Sequence, residues 1–351
     1  MLENITAKIQ GLDEAAMAAA KVRQDTLTKP PGSLGRLEEL SVQLAGITGK
    51  DIPTIKDKVI ITMAGDHGVV AEGVSAFPQE VTPQMVLNFL HGGAAINVLA
   101  RHVGARITIV DMGIAADMEA HPSLIVKKIA HGTANMTAGP AMTREQAEQA
   151  ILAGVEVVEA EIAKGLDIVG MGDMGIGNTT PSAAIAAALT GIEPARLTGR
   201  GTGVDDEGLK RKIDAIERAL AINKPDPKDG LDVLAKVGGF EIGGLVGVIL
   251  GAAANRKPVM VDGFISTAAA MIAVTIAPAV RPYLISAHRS QEYGHNQMVE
   301  WLGLKPLVDF DLRLGEGTGA ALGISIAEAA CKILAEMATF AEAAVSEKND
   351  E

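Results

Sequence analysis

Short apolar runs alternate with longer helical patterns along most of this chain. The runs are rich in β-branched residues and lie at 59–63, 107–110, 168–170, 259–261, 283–285 and 307–310. Because they lack polar alternation, they predict strands that are covered on both faces. The helical stretches between them predict βαβ units, in which successive strands lie parallel. We therefore predict an α/β fold in three layers, with one parallel sheet and helices on both faces.

The two ends of the chain predict helices without strands. The predicted helices are 3–28, 37–49 and 324–346. We expect these helices to pack together as a small helical domain made of residues 1–40 and 301–351. Residues 41–300 then form a large α/β domain that carries the active site, and the loop at 312–319 is expected to reach that site.

Polar, glycine-rich clusters follow the predicted strands. They lie at 64–68, 111–113, 170–180, 262–266, 286–288 and 314–319. Turns explain the glycines, but not Asp-His at 66–67, Asn-Thr-Thr at 178–180 or Gly-Glu-Gly at 315–317. In open α/β sheets, ligands bind at the carboxyl ends of the strands. The clusters therefore predict one shared active site at that edge of the sheet.

Residues 170–175 read Gly-Met-Gly-Asp-Met-Gly, the G-x-G-x-x-G pattern of dinucleotide-binding loops. This pattern supports an NAD-dependent dehydrogenase as an alternative function. Glu193 follows at a suitable distance, but it stands in Gly-Ile-Glu-Pro at 191–194, where a helix rather than a strand is expected to end.

The same loop continues as a longer turn that leads into a helix. Flexible backbone N–H groups, hydroxyls and the positive end of a helix are the parts of a site for one phosphate group. Simple helix capping would explain Thr180 before Pro181 but not the glycines. The candidate anion-binding residues are Gly175, Gly177, Asn178, Thr179 and Thr180.

A second glycine-rich loop carries cations. Arg200 stands in Gly-Arg-Gly-Thr-Gly at 199–203, and Lys212 ends a basic run at 210–212. These residues suit a phosphate or carboxylate site. A surface turn followed by a solvated basic helix face fits the pattern equally well.

Glu316 stands between Gly315 and Gly317, ahead of a helix. The bare backbone on both sides lets a substrate approach, and enclosure raises a carboxyl pKa toward that of a general base. Together with Asp173, Glu316 could form a pair of catalytic carboxylates. A glutamate that caps the start of the helix is the structural alternative.

Asp66, His67, His288, Glu292 and His295 suggest a metal site, since Glu292 and His295 have a helical i, i+3 spacing that metals use. However, the sequence contains no closed ligand set such as H-E-x-x-H. We expect no metal, and keep a metal-dependent hydrolase on the three histidines as an alternative.

The composition indicates which classes of partner and which cellular compartment to expect. The net charge of −12 disfavours nucleic acid and anionic membranes as partners. The single cysteine, Cys331, cannot form an internal disulfide, and residues 1–5 show no secretory pattern, so we expect a cytoplasmic protein. The apolar stretches at 242–254 and 264–280 are expected to be buried helices, because one is short and the other contains polar residues and Pro278.

Five segments resemble one known family. They read KPPGSLGRLE at 29–38, AGDHGV at 64–69, GDMGIGNTT at 172–180, GRGTG at 199–203 and LRLGEGTGAA at 312–321. In this order and spacing they resemble the nicotinate-nucleotide:dimethylbenzimidazole phosphoribosyltransferases of cobalamin nucleotide-loop assembly. The resemblance runs from about residue 25 to the final helix.

The resemblance implies a Rossmann-like sheet, a small helical domain from both termini, a homodimer, and no metal or organic cofactor. It also implies a reaction. Nicotinate mononucleotide and 5,6-dimethylbenzimidazole, both small-molecule substrates, give α-ribazole 5′-phosphate and nicotinate, with inversion at the anomeric carbon. A non-enzymatic binder of a nucleotide or a benzimidazole is a further alternative.

Roles are carried over from the family by motif. Glu316 is the expected general base, and Asp173 stands where the family pattern has a longer glutamate, so its contact could run through a water. The expected phosphoribosyl site comprises Gly175, Gly177, Asn178, Thr179, Thr180, Arg200, Gly201, Thr202, Gly203 and Lys212. The expected base-binding residues are Ser75, Phe77, Gln84, Met174 and Leu314.

Overall fold

A computed structural model describes residues 1–201 and 203–346. Its six-stranded sheet has the order β3-β2-β1-β4-β5-β6, and every neighbouring pair is parallel. The strands are β1 (Lys58–Gly65), β2 (Arg106–Gly113), β3 (Leu124–Val126), β4 (Ile168–Met174), β5 (Val259–Val261) and β6 (Leu284–Ser286). The predicted Rossmann-like sheet is confirmed. The strand order reverses between β1 and β4, and open α/β sheets bind ligands beyond such a switch point.

Helices cover both faces of the sheet. They are α1 (Leu2–Thr6), α2 (Glu14–Thr26), α3 (Arg36–Thr48), α4 (Val81–Leu90), α5 (Ala95–Val103), α6 (Arg144–Ala163), α7 (Thr179–Thr190), α8 (Asp206–Asn223), α9 (Gly230–Val237), α10 (Phe240–Ala254), α11 (Phe264–Ile276), α12 (His295–Leu302), α13 (Thr318–Glu336) and α14 (Phe340–Ala343). Short 3₁₀ helices lie at Gly68–Glu72, Pro194–Arg196 and Pro278–Tyr283.

Alternate side chains of β1 enter two separate apolar cores. Val59 and Ile61 pack in the core that also contains α6, α10 and α11. Ile60 packs on the opposite side with α13 residues such as Ile324. This period of two is what a strand buried on both faces produces. The three-layer arrangement is therefore confirmed.

Glycines let the two helices α6 and α10 approach closely. A Cβ atom on Gly154 would lie 1.9 Å from the carbonyl oxygen of Gly244, and one on Gly247 would lie 1.9 Å from that of Ile151. No side chain larger than hydrogen fits at such a crossing. The high glycine content thus has a packing role that is separate from the active site.

The terminal helices also pack together. Ala16 and Ala20 of α2 contact Ala45 of α3 and Leu334 of α13. Arg23 Nε donates a 2.6 Å hydrogen bond to the carbonyl oxygen of Leu334. This cluster supports the small helical domain, which remains a proposal, and α3 extends across its predicted boundary at residue 40.

Several predicted elements differ from the structure. The helix predicted over 3–28 is divided, because Asp13 caps a new helix by accepting a hydrogen bond from the Ala16 N–H. The run at 307–310 forms only an isolated bridge between Val308 and His288. The last long helix begins at Thr318 and ends at Glu336, earlier than predicted at both ends.

Among the described residues, α13 alone is long and apolar enough to cross a membrane by length and composition. In the fold it covers one face of the sheet, and 56% of its most apolar window is buried. A buried core helix meets the same criteria, so this finding is weak support for a membrane span. The stretch 242–254 is a buried helix, as predicted, whereas the stretch predicted over 264–280 is helical only to Ile276 and is followed by the 3₁₀ helix at Pro278–Tyr283.

Candidate active site

A cavity of about 410 Å³ opens beyond the carboxyl ends of the strands, next to the switch point. It lies between α4, the turn after β4, the start of α11 and the loop before α13. Its lining residues are Phe77, Val81, Met85, Asp173, Met174, Gly175, Ile176, Asn178, Thr179, Gly201, Gly263, Phe264, Ile265, His288, Ser290, Glu292, Arg313, Leu314, Gly315 and Glu316. Four of the six strand-end clusters predicted to share one site line this cavity, whereas those at 64–68 and 111–113 do not.

Glu316 lines this cavity from a tight turn. It has a left-handed backbone conformation, φ 64°, between two glycines that are also left-handed. The pKa of its carboxyl is raised, mainly by burial and in part by the charge of Asp262, although a hydrogen bond from the backbone N–H of Ile96 lowers it. Oε2 of Glu316 has no hydrogen-bond partner among the described residues. The carboxylate therefore has a free oxygen and an increased affinity for a proton.

Asp173 lies at the end of β4, on the same cavity. Asn178 Nδ2 donates a 3.0 Å hydrogen bond to Asp173 Oδ2. Burial, followed by the charge of Asp262, raises the pKa of Asp173 well above its ordinary value, so the neutral carboxylic acid is favoured. Glu316 and Asp173 share the cavity, as the sequence predicts.

The turn after β4 leads directly into α7, whose first residue is Thr179. Lys212 reaches this turn from α8, and its Nζ donates a 2.9 Å hydrogen bond to Thr179 Oγ1. Gly175, Asn178 and Thr179 line the cavity. Helix N-terminal N–H groups together with a lysine form an anion-binding arrangement. Burial lowers the pKa of Lys212 to about 8, against the opposing charge of Glu292.

Gly177 and Thr180 are behind the cavity wall rather than on it. Gly177 is left-handed, φ 89°, and a Cβ there would lie 2.7 Å from Val70 Cγ2. Thr180 is fully buried, and its Oγ1 has no hydrogen-bond partner among the described residues. These two residues shape the turn.

The loop that contains Arg200 lies beside the cavity. Arg200 donates a 2.9 Å hydrogen bond to the Val204 carbonyl oxygen and pairs with Asp206, so its charge is directed into its own loop. Gly201 lines the main cavity, and a Cβ on it would lie 2.9 Å from Lys212 Nζ. Gly203 lines an adjoining cavity instead, and Thr202 lies outside the described residues.

Arg313 is a cation that sequence analysis did not identify. It lines both cavities, and its Nη1 donates a 3.1 Å hydrogen bond to the Gly201 carbonyl oxygen. Buried Glu292 lies on the same wall, and its pKa is raised by burial despite the nearby charges of Lys212 and Arg313. Only the fold brings these three distant segments together, so no local motif could have indicated the cluster.

Three of the five predicted base-binding residues line the cavity, and two do not. Phe77, Met174 and Leu314 line the cavity. Ser75 accepts a 3.1 Å hydrogen bond from the Phe77 N–H and lies off the cavity wall. Gln84 is exposed on α4, which presents Val81 and Met85 to the cavity instead.

The G-x-G-x-x-G pattern does not form a dinucleotide-binding turn. Gly170 and Gly172 lie inside β4, where such a loop would require the strand to have ended. A Cβ on Gly172 would lie 2.4 Å from the carbonyl oxygen of Glu316. The glycines therefore let the Glu316 turn approach the sheet, and the geometry argues against the dehydrogenase.

His67 and His295 have different hydrogen-bond partners, and the rings of His288 and His295 stack with their centroids 6.2 Å apart. His67 Nε2 is 2.8 Å from Glu241 Oε1, whereas His295 is bonded to Thr267 and the Ser290 N–H. Glu292 precedes α12, which begins at His295, so the expected helical i, i+3 pair is absent. Within the described ranges, no group of three or more His, Cys, Asp or Glu side chains could hold a metal.

Comparisons with known proteins show the family of this chain. A phosphoribosyltransferase family model matches residues 9–345. The nicotinate-nucleotide–dimethylbenzimidazole phosphoribosyltransferase of Roseiflexus sp. (strain RS-1) is 63% identical over 348 residues, covering 99% of each chain. The protein of that name from Chloroflexus aggregans is 61% identical, over 97% of this chain and 96% of its own.

A solved structure gives the same result. The crystal structure of the enzyme of that name from Thermus thermophilus has a TM-score of 0.91 and 47% identity, covering 96% of this chain and 100% of its own. The resemblance inferred from five motifs thus extends over the whole described fold. The chain belongs to the nicotinate-nucleotide–dimethylbenzimidazole phosphoribosyltransferase family.

Proposed function

We propose that this protein transfers the phosphoribosyl group of nicotinate mononucleotide to 5,6-dimethylbenzimidazole, giving α-ribazole 5′-phosphate and nicotinate. Together with the family membership, one observation on this chain supports the proposal most directly. A buried carboxylate with a free oxygen, Glu316, lies on the same cavity as the anion-binding turn at 175–179. The cavity can therefore hold the phosphate of the nucleotide and, next to Glu316, the benzimidazole that is to be deprotonated.

In the proposed reaction, Glu316 accepts the proton from one benzimidazole nitrogen while the other nitrogen attacks the anomeric carbon. The bond from that carbon to the nicotinyl nitrogen breaks, and its electron pair neutralises the pyridinium. The leaving group therefore needs no general acid. Attack from the opposite face inverts a β-nucleotide to an α-product. Positioning and general-base catalysis supply the rate enhancement.

The proposed phosphate contacts are the turn at 175–179, Gly201 and the ammonium of Lys212, which lies next to Thr179 and Gly201 but does not itself line the cavity. Arg313 supplies a second cation, on the cavity wall. Asp173, in its neutral form, would donate a hydrogen bond to the ribose or the base, directly or through a water. Met174, Leu314 and Phe77 would enclose the apolar ring.

We also propose a homodimer in the cytoplasm. The homodimer rests on the family resemblance. The compartment rests on the single, buried, free cysteine, which suits a reducing environment.

A multiple-turnover assay in the presence of a chelator tests the proposed function. Purified protein and nicotinate mononucleotide would be incubated with and without 5,6-dimethylbenzimidazole, and the products separated and weighed. We expect nicotinate release that depends on the base, exceeds one equivalent per enzyme and accompanies a ribazole phosphate mass. Binding without release would favour a non-enzymatic binder, and dependence on NAD would favour the dehydrogenase.

A further inference from the structure

The backbone around Glu316 requires support from elsewhere in the fold. Three successive residues, Gly315, Glu316 and Gly317, are left-handed, with φ values of 85°, 64° and 95°. A side chain makes this conformation unfavourable for Glu316, so surrounding contacts must stabilise it. Gly317 is the N-cap of α13 and has no side chain with which to bond the first N–H groups of that helix.

Asp262 provides the missing acceptors. It follows β5 and is fully buried. Its Oδ2 accepts a 3.1 Å hydrogen bond from the Gly317 N–H, and its Oδ1 accepts a 2.8 Å bond from the Ala320 N–H. A carboxylate from another strand therefore caps α13 and holds the peptide next to Glu316.

The space around Asp262 fits this arrangement closely. A Cβ on Gly319 would lie 2.0 Å from His288 Cδ2 and 2.9 Å from Asp262 Oδ1. On the other side of the turn, Thr62 Oγ1 donates a 3.3 Å hydrogen bond to the Glu316 carbonyl oxygen. The turn is thus held from β1 and from β5, and the bonds from β5 come from one carboxylate.

Asp262 also acts on Glu316 through its charge. Three titratable groups face it: Glu316, Asp173 and His288, whose Nε2 is 3.9 Å from Asp262 Oδ1. Burial raises the pKa of Asp262 to about 6, while His288 and the capping N–H groups favour its charged form. When ionised, Asp262 raises the pKa of Glu316.

We propose that Asp262 is the positioning residue of the general base, because it fixes the Glu316 turn by accepting hydrogen bonds from the Gly317 and Ala320 N–H groups. This inference rests on the proposed function. It assigns to Asp262 no contact with substrate, since its effect is transmitted through Glu316.

A double-mutant cycle tests this role. Asp262→Asn, Glu316→Gln and the double variant would be compared in the nicotinate-release assay, with folding checked by thermal unfolding. We expect Asp262→Asn to lower kcat by about tenfold or more in the native background but less than about twofold in the Glu316→Gln background. KM for nicotinate mononucleotide should change less than about threefold, because the phosphate site lies on other elements.

The pH profile gives a second readout. Removing the charge at 262 should move the acidic limb of the kcat profile to lower pH, since the pKa of Glu316 falls. Asp111→Asn is the matched control: Asp111 is a buried aspartate at the end of β2 that bonds the N–H groups of Gly113 and Ile114. We expect that control to leave the acidic limb in place and to combine additively with Glu316→Gln.

If Asp262→Asn lowered kcat equally in the native and Glu316→Gln backgrounds, its role would be merely structural and the inference would be overturned. An acidic limb of the kcat profile that Asp262→Asn left in place would also overturn it. If Asp262→Asn does not fold, Asp262→Ser, which keeps one oxygen, replaces it. Absence of turnover in the native protein would instead refute the proposed function itself.

Discussion

Glu316 is the residue on which the proposed chemistry depends most directly. We expect Glu316→Gln to lower kcat by about 10²- to 10⁴-fold, the usual contribution of a general base. KM for nicotinate mononucleotide should change little, because glutamine has nearly the same size as glutamate and the phosphate contacts are elsewhere. Steady-state nicotinate release measures both constants. Glu300→Gln, on the exposed face of α12, is the control. A loss confined to KM would contradict the assignment.

Lys212 and Glu316 together predict a bell-shaped pH profile for kcat/KM. Glu316 accepts a proton only when ionised, and its pKa is raised, so activity should fall as the pH drops through a value above that of an ordinary glutamate. The proposed phosphate contact of Lys212 requires its charged form, and its pKa is lowered to about 8, so activity should also fall above that pH.

Lys212→Arg tests the alkaline limb, because a guanidinium stays charged throughout this range. We expect that limb to disappear while the acidic limb remains, even if the larger side chain raises KM. Persistence of the same alkaline limb would assign it to another group.

At the scale of residues, local motifs predicted the site only in part. Glu316, Asp173 and Thr179 could be identified because each stands in or next to a glycine-rich segment at the end of a strand or the start of a helix. Arg313 could not, since its position depends on contacts between segments far apart in sequence. Glu292 was identified only as a candidate metal ligand, and the fold instead places it near Lys212 and Arg313. Arg200 illustrates the opposite case: its loop suggested an anion site, but the guanidinium pairs with Asp206.

At the scale of elements, β4 connects packing to chemistry. We expect Gly172→Ala to lower kcat by roughly 10²-fold, because its Cβ would displace the Glu316 carbonyl and misplace the base. Gly170→Ala is a matched control in the same strand, where the Cβ would meet the side chains of Ile60, Ile324 and Ala320. Both variants should lose about 1–3 kcal/mol of unfolding free energy by overpacking.

The Gly170→Ala control should keep kcat within about threefold of the native value. Chemical denaturation and nicotinate release measure the two effects separately. If both glycine variants lost activity equally, or if Gly172→Ala retained it, the proposed contact between strand and turn would have no catalytic consequence.

The apolar runs predicted every strand of the sheet except β3. Continuous burial on both faces makes β1, β2 and β4 evident in sequence. By contrast, β3 has three residues, of which Leu124 alone is buried, so it carries no periodic signal. The run at 307–310 has the composition of a strand, but it pairs through a single bridge at Val308. Tertiary contacts rather than local preference decide such segments.

At the scale of the whole molecule, a net charge of −12 must coexist with binding of an anionic nucleotide. The proposed solution is local donors: the α7 N-terminus and Arg313 line the cavity, and Lys212 lies behind them, bonded to Thr179. The family resemblance further predicts a homodimer. Sedimentation equilibrium should give twice the mass of the chain at micromolar concentration, and a monomer at that concentration would contradict the prediction.

The anomeric configuration of the product tests the central claim most directly. The native enzyme would be given β-nicotinate mononucleotide and 5,6-dimethylbenzimidazole, and the ribazole phosphate examined by nuclear magnetic resonance. A single displacement in this cavity, with Glu316 as base, predicts the α-anomer alone. A β-anomer would require two displacements or attack from the leaving-group face, and either would contradict the account.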